Sequence, residues 1–196
     1  MPRTYDDIAP HYDKAMRPID RWFLMALRAR TLSHLPSSGR ILEIGAGTGG
    51  NFNLYPLDTF AVATEPSGGM LREATRKQRP PALSLVQSCA EQLPFPENSF
   101  DAAFATLVFC SLASPAQAFS ELRRVVKTGG TIVLLEHVRP EGLLGPVFDL
   151  LNLLTEPLFD DHFNRRTAAT ATAAGLKDVT VEKRFLGIIN IIAARV

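Results

Sequence analysis

Between residues 43 and 50 the chain reads Glu-Ile-Gly-Ala-Gly-Thr-Gly-Gly, and Glu65 stands 20 residues after Gly45. Gly45, Gly47 and Gly50 satisfy GxGxxG, whose glycines let a backbone turn tightly and approach a ligand where a Cβ would obstruct it. A carboxylate about 20 residues on, at the end of the next strand, can accept hydrogen bonds from ribose hydroxyls. The pattern therefore points to a nucleoside cofactor, with a dinucleotide as one candidate. Glu43 bears on the choice. A carboxylate beside the loop disfavours a pyrophosphate and favours a cofactor that carries an ammonium and a sulfonium.

These residues need strands that end where the loop begins. RILEIG (40–45) is a short apolar run closed by glycine, and FAVATE (60–65), ALSLVQ (82–87), FDAAFATLVF (100–109) and TIVLLEH (131–137) have the same buried-strand character. Helices are predicted at 16–33, after the cap Ser67, at 114–127 and from about Asn164 to Ala174. In the 16–33 helix Ile19, Trp22, Phe23, Ala26 and Leu27 form the apolar face, with Arg17, Arg21 and Arg28 among them. Ser114, Pro115 and Gln117 read as N-cap, first helical position and capping box. DVTVEK (178–183) and GIINIIAARV (187–196) add two strands, too close together for a parallel crossover, so the last should run antiparallel. Strands alternating with helices imply an α/β sheet covered on both faces, with ligands at the carboxyl ends of its strands.

The bulk properties exclude several functions. The 196 residues carry 21 Lys+Arg against 20 Asp+Glu, a net charge of +1, which argues against a nucleic-acid-binding surface. Cys89 and Cys110 form no CxxC pair, so a disulfide scaffold is not expected and a reducing, cytoplasmic home is. The N-terminus lacks the apolar run of a signal peptide, and the uncharged stretch from Ala102 to Ser120 is broken by Ser111, Ser114 and Pro115. No transmembrane helix is predicted. No His/Cys/Asp cluster has metal-ligand spacing, so no metal is expected.

ILEIGAGTG resembles the first motif of the class I S-adenosylmethionine-dependent methyltransferases, an acidic residue followed by GxGxG. Glu65-Pro66-Ser67 with Met70-Leu71 is similar to the second motif, which would set Glu65 on the ribose and Met70 beside the adenine. Ala90-Glu91 through Phe95 resembles the adenine-edge loop, and Leu122 to Gly130 the turn into the fifth strand. Tyr5, Ile8, Ala9, Tyr12 and Asp13 look like the segment that closes over the cofactor in the quinone-methyltransferase branch. Where many relatives have an aspartate before the Ala-Glu pair this chain has Cys89, a poor acceptor. The resemblance implies a Rossmann-like, seven-stranded, mostly parallel sheet with helices on both faces and an antiparallel last strand. It divides one domain into an N-terminal lid (1–38), a cofactor core (39–139), a substrate-side insertion (140–162) and a C-terminal helix with a strand hairpin (163–196). S-adenosylmethionine would leave as S-adenosylhomocysteine, and the implied cofactor surface is Tyr5, Glu43, Gly45, Ala46, Gly47, Gly49, Asn51, Glu65, Pro66, Met70, Cys89, Ala90, Glu91, Thr106 and Leu107.

A narrower pattern, GTGxNFxxYP with Thr106 to Leu112 and Glu136-His137-Val138, is similar to a membrane-associated branch linked to alkyl-thiol S-methylation, whose hydrophobic N-terminal anchor is not seen here. The implied reaction is in-line displacement at a sulfonium methyl, with a base needed only if the acceptor must lose a proton. His137, at the end of the fifth strand, leads as catalytic candidate, followed by His11 and Tyr12. The apolar segment 142–159 is placed to roof a pocket for a small apolar acceptor: a thiol, a quinol or phenol, or a lipid head group. Two other readings stay open, an NAD(P)-dependent oxidoreductase and a non-catalytic S-adenosylmethionine-binding protein. The sequence leaves peripheral membrane contact, and monomer or homodimer, undecided.

Overall fold

A computed structural model describes residues 4–140, 142, 145, 146, 148–150, 162 and 164–196. Seven strands form one sheet: β1 (Ser38–Ile44), β2 (Asp58–Thr64), β3 (Leu83–Val86), β4 (Phe100–Thr106), β5 (Val126–His137), β6 (Lys177–Arg184) and β7 (Ile189–Arg195). Their order is β3-β2-β1-β4-β5-β7-β6. All pairings are parallel except those of β7, which runs antiparallel to both β5 and β6. The expected α/β class and the reversed last strand are both present. Strand order turns over between β1 and β4, so the crevice that receives ligands in such sheets lies above Ile44 and Thr106.

The alternation of side chains across the strands divides the core in two. On one face Leu42, Ile44, Ala103, Ala105, Leu134 and Ile192 pack under α4 (Pro115–Val125) and α5 (Thr167–Ala173). On the other, Ile41, Ala63, Phe104, Val133, Leu135 and Ile191 pack with Leu24, Leu27 and Leu32 of the N-terminal helices. That second layer includes α2 (Met25–Leu32), and α1 (Thr4–Ile19) leads into it. Ala102, Ala103 and Ala105 of β4 are fully buried between the two layers.

Five expectations need correction. The helix expected over 16–33 begins at Thr4 and is interrupted by a wide π turn, Asp20–Leu24, two residues after Pro18, which donates no backbone hydrogen bond. A turn with more residues shifts the helical phase. Trp22 and Ile19, expected on the apolar face, are instead 83% and 50% exposed, whereas Arg28, 8% exposed, lies among the buried residues. The helix expected to run to Lys127 ends at Val125, because β5 already starts at Val126 and absorbs the Gly129-Gly130 turn as an irregularity in its pairing with β4. Strand β4 stops at Thr106, not residue 109, where Leu107 takes a positive φ of 59°. The C-terminal helix starts at Thr167 rather than Asn164, with Arg166 as its N-cap residue. Ser114 caps α4 by accepting from Gln117 N, but the Gln117 side chain donates to the Glu91 carbonyl instead of closing a capping box. Most of the 142–159 segment lies outside the described residues, as does its role as a roof.

Candidate active site

A cavity of about 510 Å³ opens above the carboxyl ends of β1, β2 and β4, beneath α1 and the π turn. Its floor is the glycine loop. Gly45 has φ 67°, and a Cβ there would come within 2.5 Å of Val108 Cγ2, so this glycine is required by close approach of the β4 loop. Gly47 differs. Its φ is 56° and a Cβ would meet nothing within 4 Å, because the space in front of it is the cavity.

Glu65, just past β2, is 8% exposed and fixed by two backbone donors, Gly47 N to Oε2 and Ser67 N to Oε1, each at 2.9 Å. Burial pushes its carboxyl above the ordinary range, and the two N–H groups work against that shift. Each oxygen keeps a lone pair for a ligand, at the spacing that suits vicinal hydroxyls. Ser67 caps α3 (Gly68–Thr75) by accepting from Met70 N, which sets Met70 in the cavity wall beside Pro66 and Ala90. Polar at Glu65 and apolar at Met70, this end matches a nucleoside.

Helix α1 is tied over the floor at two points. Asp6 Oδ1 accepts from Ser67 Oγ at 2.7 Å and Gly69 N at 2.6 Å, bonds that hold its carboxyl below the usual range. Farther along, Asp13 accepts from Thr48 Oγ1 and pairs with Lys77 Nζ, both at 2.5 Å. Tyr5, Tyr12, Asp13 and Arg17 thereby face the cavity. Burial raises the Tyr12 phenol, so at neutral pH it is a hydrogen-bond donor and not a base.

Opposite Glu65 the wall is built on Arg28. Its Nη1 donates to Thr106 Oγ1 at 2.7 Å and to Asn51 Oδ1 at 3.0 Å, and Nη2 lies 3.4 Å from Asp20. Asn51 Nδ2 donates onward to Glu43 Oε1 at 2.6 Å, and Tyr55 donates its hydroxyl to Glu43 Oε2. Glu43 is fully buried in this network. Desolvation raises its carboxyl, opposed by Tyr55, Asn51 and the charge of Arg28. The acid before the glycine loop therefore reaches the cavity through Asn51 and Arg28 rather than as part of its surface.

Of the residues expected at the cofactor, the cavity brings together Tyr5, Gly45, Ala46, Gly47, Gly49, Glu65, Pro66, Met70, Ala90, Thr106 and Leu107, with Tyr12 beside them. It does not bring in Glu43 or Asn51, which lie beneath it, nor Cys89, whose neighbours Ser88 and Ala90 do line it. Glu91 turns away to accept from Ser114 N at 3.2 Å, tying its loop to α4. His11 is exposed and His137 half-buried at the end of β5, and among the described residues no histidine lines the cavity. Sequence reasoning missed Arg28, Asp20, Met25, Val108 and Leu112 as lining residues. The available signal for Arg28 was its place in the 24-27-28-31-32 stripe.

The family described as "Methyltransferase domain" matches residues 42–134. A demethylmenaquinone methyltransferase of Renibacterium salmoninarum is 34% identical over 69% of this chain and 58% of its own length. A phosphatidylethanolamine N-methyltransferase of Cereibacter sphaeroides is 33% identical over 61% of the chain and 62% of its own. The chain thus spans under two thirds of the relatives it matches first. Among solved structures, a Thermotoga maritima SAM-dependent methyltransferase superposes with a TM-score of 0.75 at 20% identity, covering 97% of each chain, a likeness of fold. A demethylmenaquinone methyltransferase of Lactiplantibacillus plantarum is 30% identical over 79% of this chain, which covers 70% of that relative. Spanning so much of a curated methyltransferase, and carrying the glycine loop and Glu65 in one crevice of a sheet whose seventh strand is reversed, the chain belongs to the methyltransferase domain family.

Proposed function

We propose that the chain is an S-adenosylmethionine-dependent methyltransferase acting on a small, largely apolar acceptor. The observation that carries this reading is a single 510 Å³ cavity with a nucleoside-like end at Glu65, Pro66 and Met70 and a second end at Met25, Arg28 and Leu112. Room for a cofactor and an acceptor in one enclosure is what direct transfer requires. The cofactor supplies a methyl group already activated on a sulfonium, so the protein's task is to place a nucleophile about 3 to 3.5 Å away and in line.

The residues fit that task. Glu65 takes the ribose hydroxyls, Gly47 leaves room beside them, and Tyr5 and Tyr12 cover the site from α1. Thr106, held by Arg28, and Leu107 border the second end. Arg28 and Lys77 on the wall are paired with Asp20 and Asp13, which leaves Glu65 as the carboxylate at the nucleoside end. With no imidazole on the wall, the site favours acceptors whose nucleophile forms near neutral pH with little assistance, such as a thiol with pKa about 8.5, or an electron-rich quinol. Names of relatives, demethylmenaquinone and phosphatidylethanolamine methyltransferases, support a quinol or lipid acceptor.

Calorimetry with S-adenosylhomocysteine and with NAD tests the cofactor, and labelled S-adenosylmethionine with thiols, quinols and phospholipids tests the acceptor. Binding of S-adenosylhomocysteine together with label transfer to one class is expected. Tight NAD binding without a response to S-adenosylhomocysteine overturns the proposal in favour of an oxidoreductase, and cofactor binding with no transfer to any class overturns the enzymatic part.

A further inference from the structure

The π turn that rotates Arg28 inward turns Trp22 outward, at the rim of the cavity. Its neighbours are exposed as well: Ile19 at 50%, Phe185 at 49% and Leu186 at 84%. These residues form one patch, because Phe23 stacks on Phe185 with ring centroids 4.0 Å apart and so brings the β6–β7 corner against the π turn. Both Phe185 and Leu186 have positive φ, 48° and 57°. A backbone conformation unfavourable for two bulky side chains in succession is being used to hold apolar tips in water.

Charge accompanies the patch. Arg17 and Arg21 are exposed and line the cavity, and neither forms an ion pair with a described residue. The Arg21 guanidinium lies 5.7 Å from the centroid of the Trp22 ring. Met25, 44% exposed, belongs both to this surface and to the cavity wall. An indole and aliphatic tips with arginines alongside have the chemistry of a bilayer interface, where the rings and tips enter the headgroup boundary and the guanidinium groups meet phosphates.

We infer that the cavity rim formed by the π turn and the β6–β7 corner docks on an anionic lipid bilayer, so that a lipophilic acceptor enters from the membrane. This rests on the methyltransferase reading for its purpose. The docking itself is measured without catalysis. Arginines unpaired among the described residues select an anionic surface over a neutral one, and protruding tips suit a fluid interface better than a preformed protein groove. No helix among the described residues is long and apolar enough to cross a membrane, so the contact is peripheral.

Trp22 is the only tryptophan, which makes its fluorescence a reporter of the proposed contact. With vesicles of phosphatidylcholine and phosphatidylglycerol at 3:1, its emission should move to shorter wavelength and the protein should sediment with the lipid. Pure phosphatidylcholine should produce much less of both. Arg21→Gln should weaken partition about fivefold, and added salt should weaken it as well. Leu186→Ser should weaken partition about tenfold while S-adenosylhomocysteine binding stays unchanged, since Leu186 is outside the cavity. The inference is overturned if anionic vesicles neither shift the emission nor carry down the protein, or if Leu186→Ser partitions like the parent. It is also overturned if the emission shift follows protein concentration without lipid, which would assign the patch to a second copy. Failure of the methyltransferase reading would show instead in the calorimetry, whatever the vesicles do.

Discussion

Replacing Glu136 by Gln should remove most of a stability loss that the protein otherwise suffers between pH 5 and 8. Glu136, the penultimate residue of β5, lies on the α4 side of the sheet, fully buried, and its Oε1 accepts from Val108 N and Phe109 N at 3.0 Å each. Among the described residues its Oε2 has no hydrogen-bond partner, and neither does Oδ1 of Asn190, the residue directly across on β7. Residues directly opposite on antiparallel strands project to the same face. A proton on Glu136 turns one of these two buried acceptors into a donor. Burial is the main cause that pushes the carboxyl from its ordinary 4.5 up to about 7, against the backbone N–H groups of Val108 and Phe109 and the nearby His137.

The sign follows from proton counting. Between the two values the folded chain keeps a proton that the unfolded chain has released, so stability falls as pH rises and levels off once the folded group also ionises. Each such pH unit is worth about 1.4 kcal/mol, giving about 3 kcal/mol in all, most of it between pH 5 and 8. A glutamine accepts from the same two N–H groups and offers Asn190 a donor at every pH. Urea unfolding followed by circular dichroism at pH 5, 6, 7 and 8 measures both proteins. The variant should gain on the parent as pH rises, by up to about 3 kcal/mol. A difference that stays constant across the range refutes the reasoning, because it would mean that Glu136 is ionised in the fold throughout.

Two further outcomes follow from the cavity. Gly47→Val places a β-branched side chain at a φ of 56° and fills space in front of Glu65, so S-adenosylhomocysteine binding should fall at least a hundredfold by calorimetry, with a stability loss of about 1 to 2 kcal/mol by thermal unfolding. Arg28→Met leaves Asn51, Thr106 and the Glu43 carboxylate without their buried cation and should cost about 3 to 5 kcal/mol in urea unfolding, whereas Arg28→Lys should recover part of the loss and little of the acceptor selectivity.

The parallel strands were legible because burial on both faces writes the same signal into RILEIG and FDAAFA: short, continuous apolar runs. Glycine spacing and the distance to Glu65 located the nucleoside end, since there the backbone itself does the binding and its requirements appear as residue types. The other end is made by long-range side-chain packing, which leaves no local mark. Thr106 and Arg28 are 78 residues apart and meet at 2.7 Å. His137 illustrates the reverse. A histidine at a strand end suggests chemistry from sequence, yet whether it faces the crevice depends on the alternation of β5, and this one is not among the residues lining the cavity.

The N-terminal helix shows why helical phase is the least transferable of these readings. At 3.6 residues per turn, Ile19, Trp22, Phe23 and Leu27 share a face with the core, and an arginine among them reads as a solvated edge. Asp20–Leu24 winds more loosely, so the stripe before the turn and the stripe after it point in different directions. After the turn the buried set is Leu24, Leu27, Arg28, Thr31 and Leu32, a regular stripe that includes the arginine. Ile19 just before the turn and Trp22 within it are carried to the outside. One local departure from α-helical winding therefore accounts for both the buried cation in the wall of the site and the exposed indole at its entrance. Straightening the turn should undo the two together. Deleting one residue within 20–24 would return Trp22 toward the core and withdraw Arg28 from Thr106, so loss of the cavity wall and loss of bilayer contact should appear in the same variant, the first read by calorimetry and the second by vesicle sedimentation.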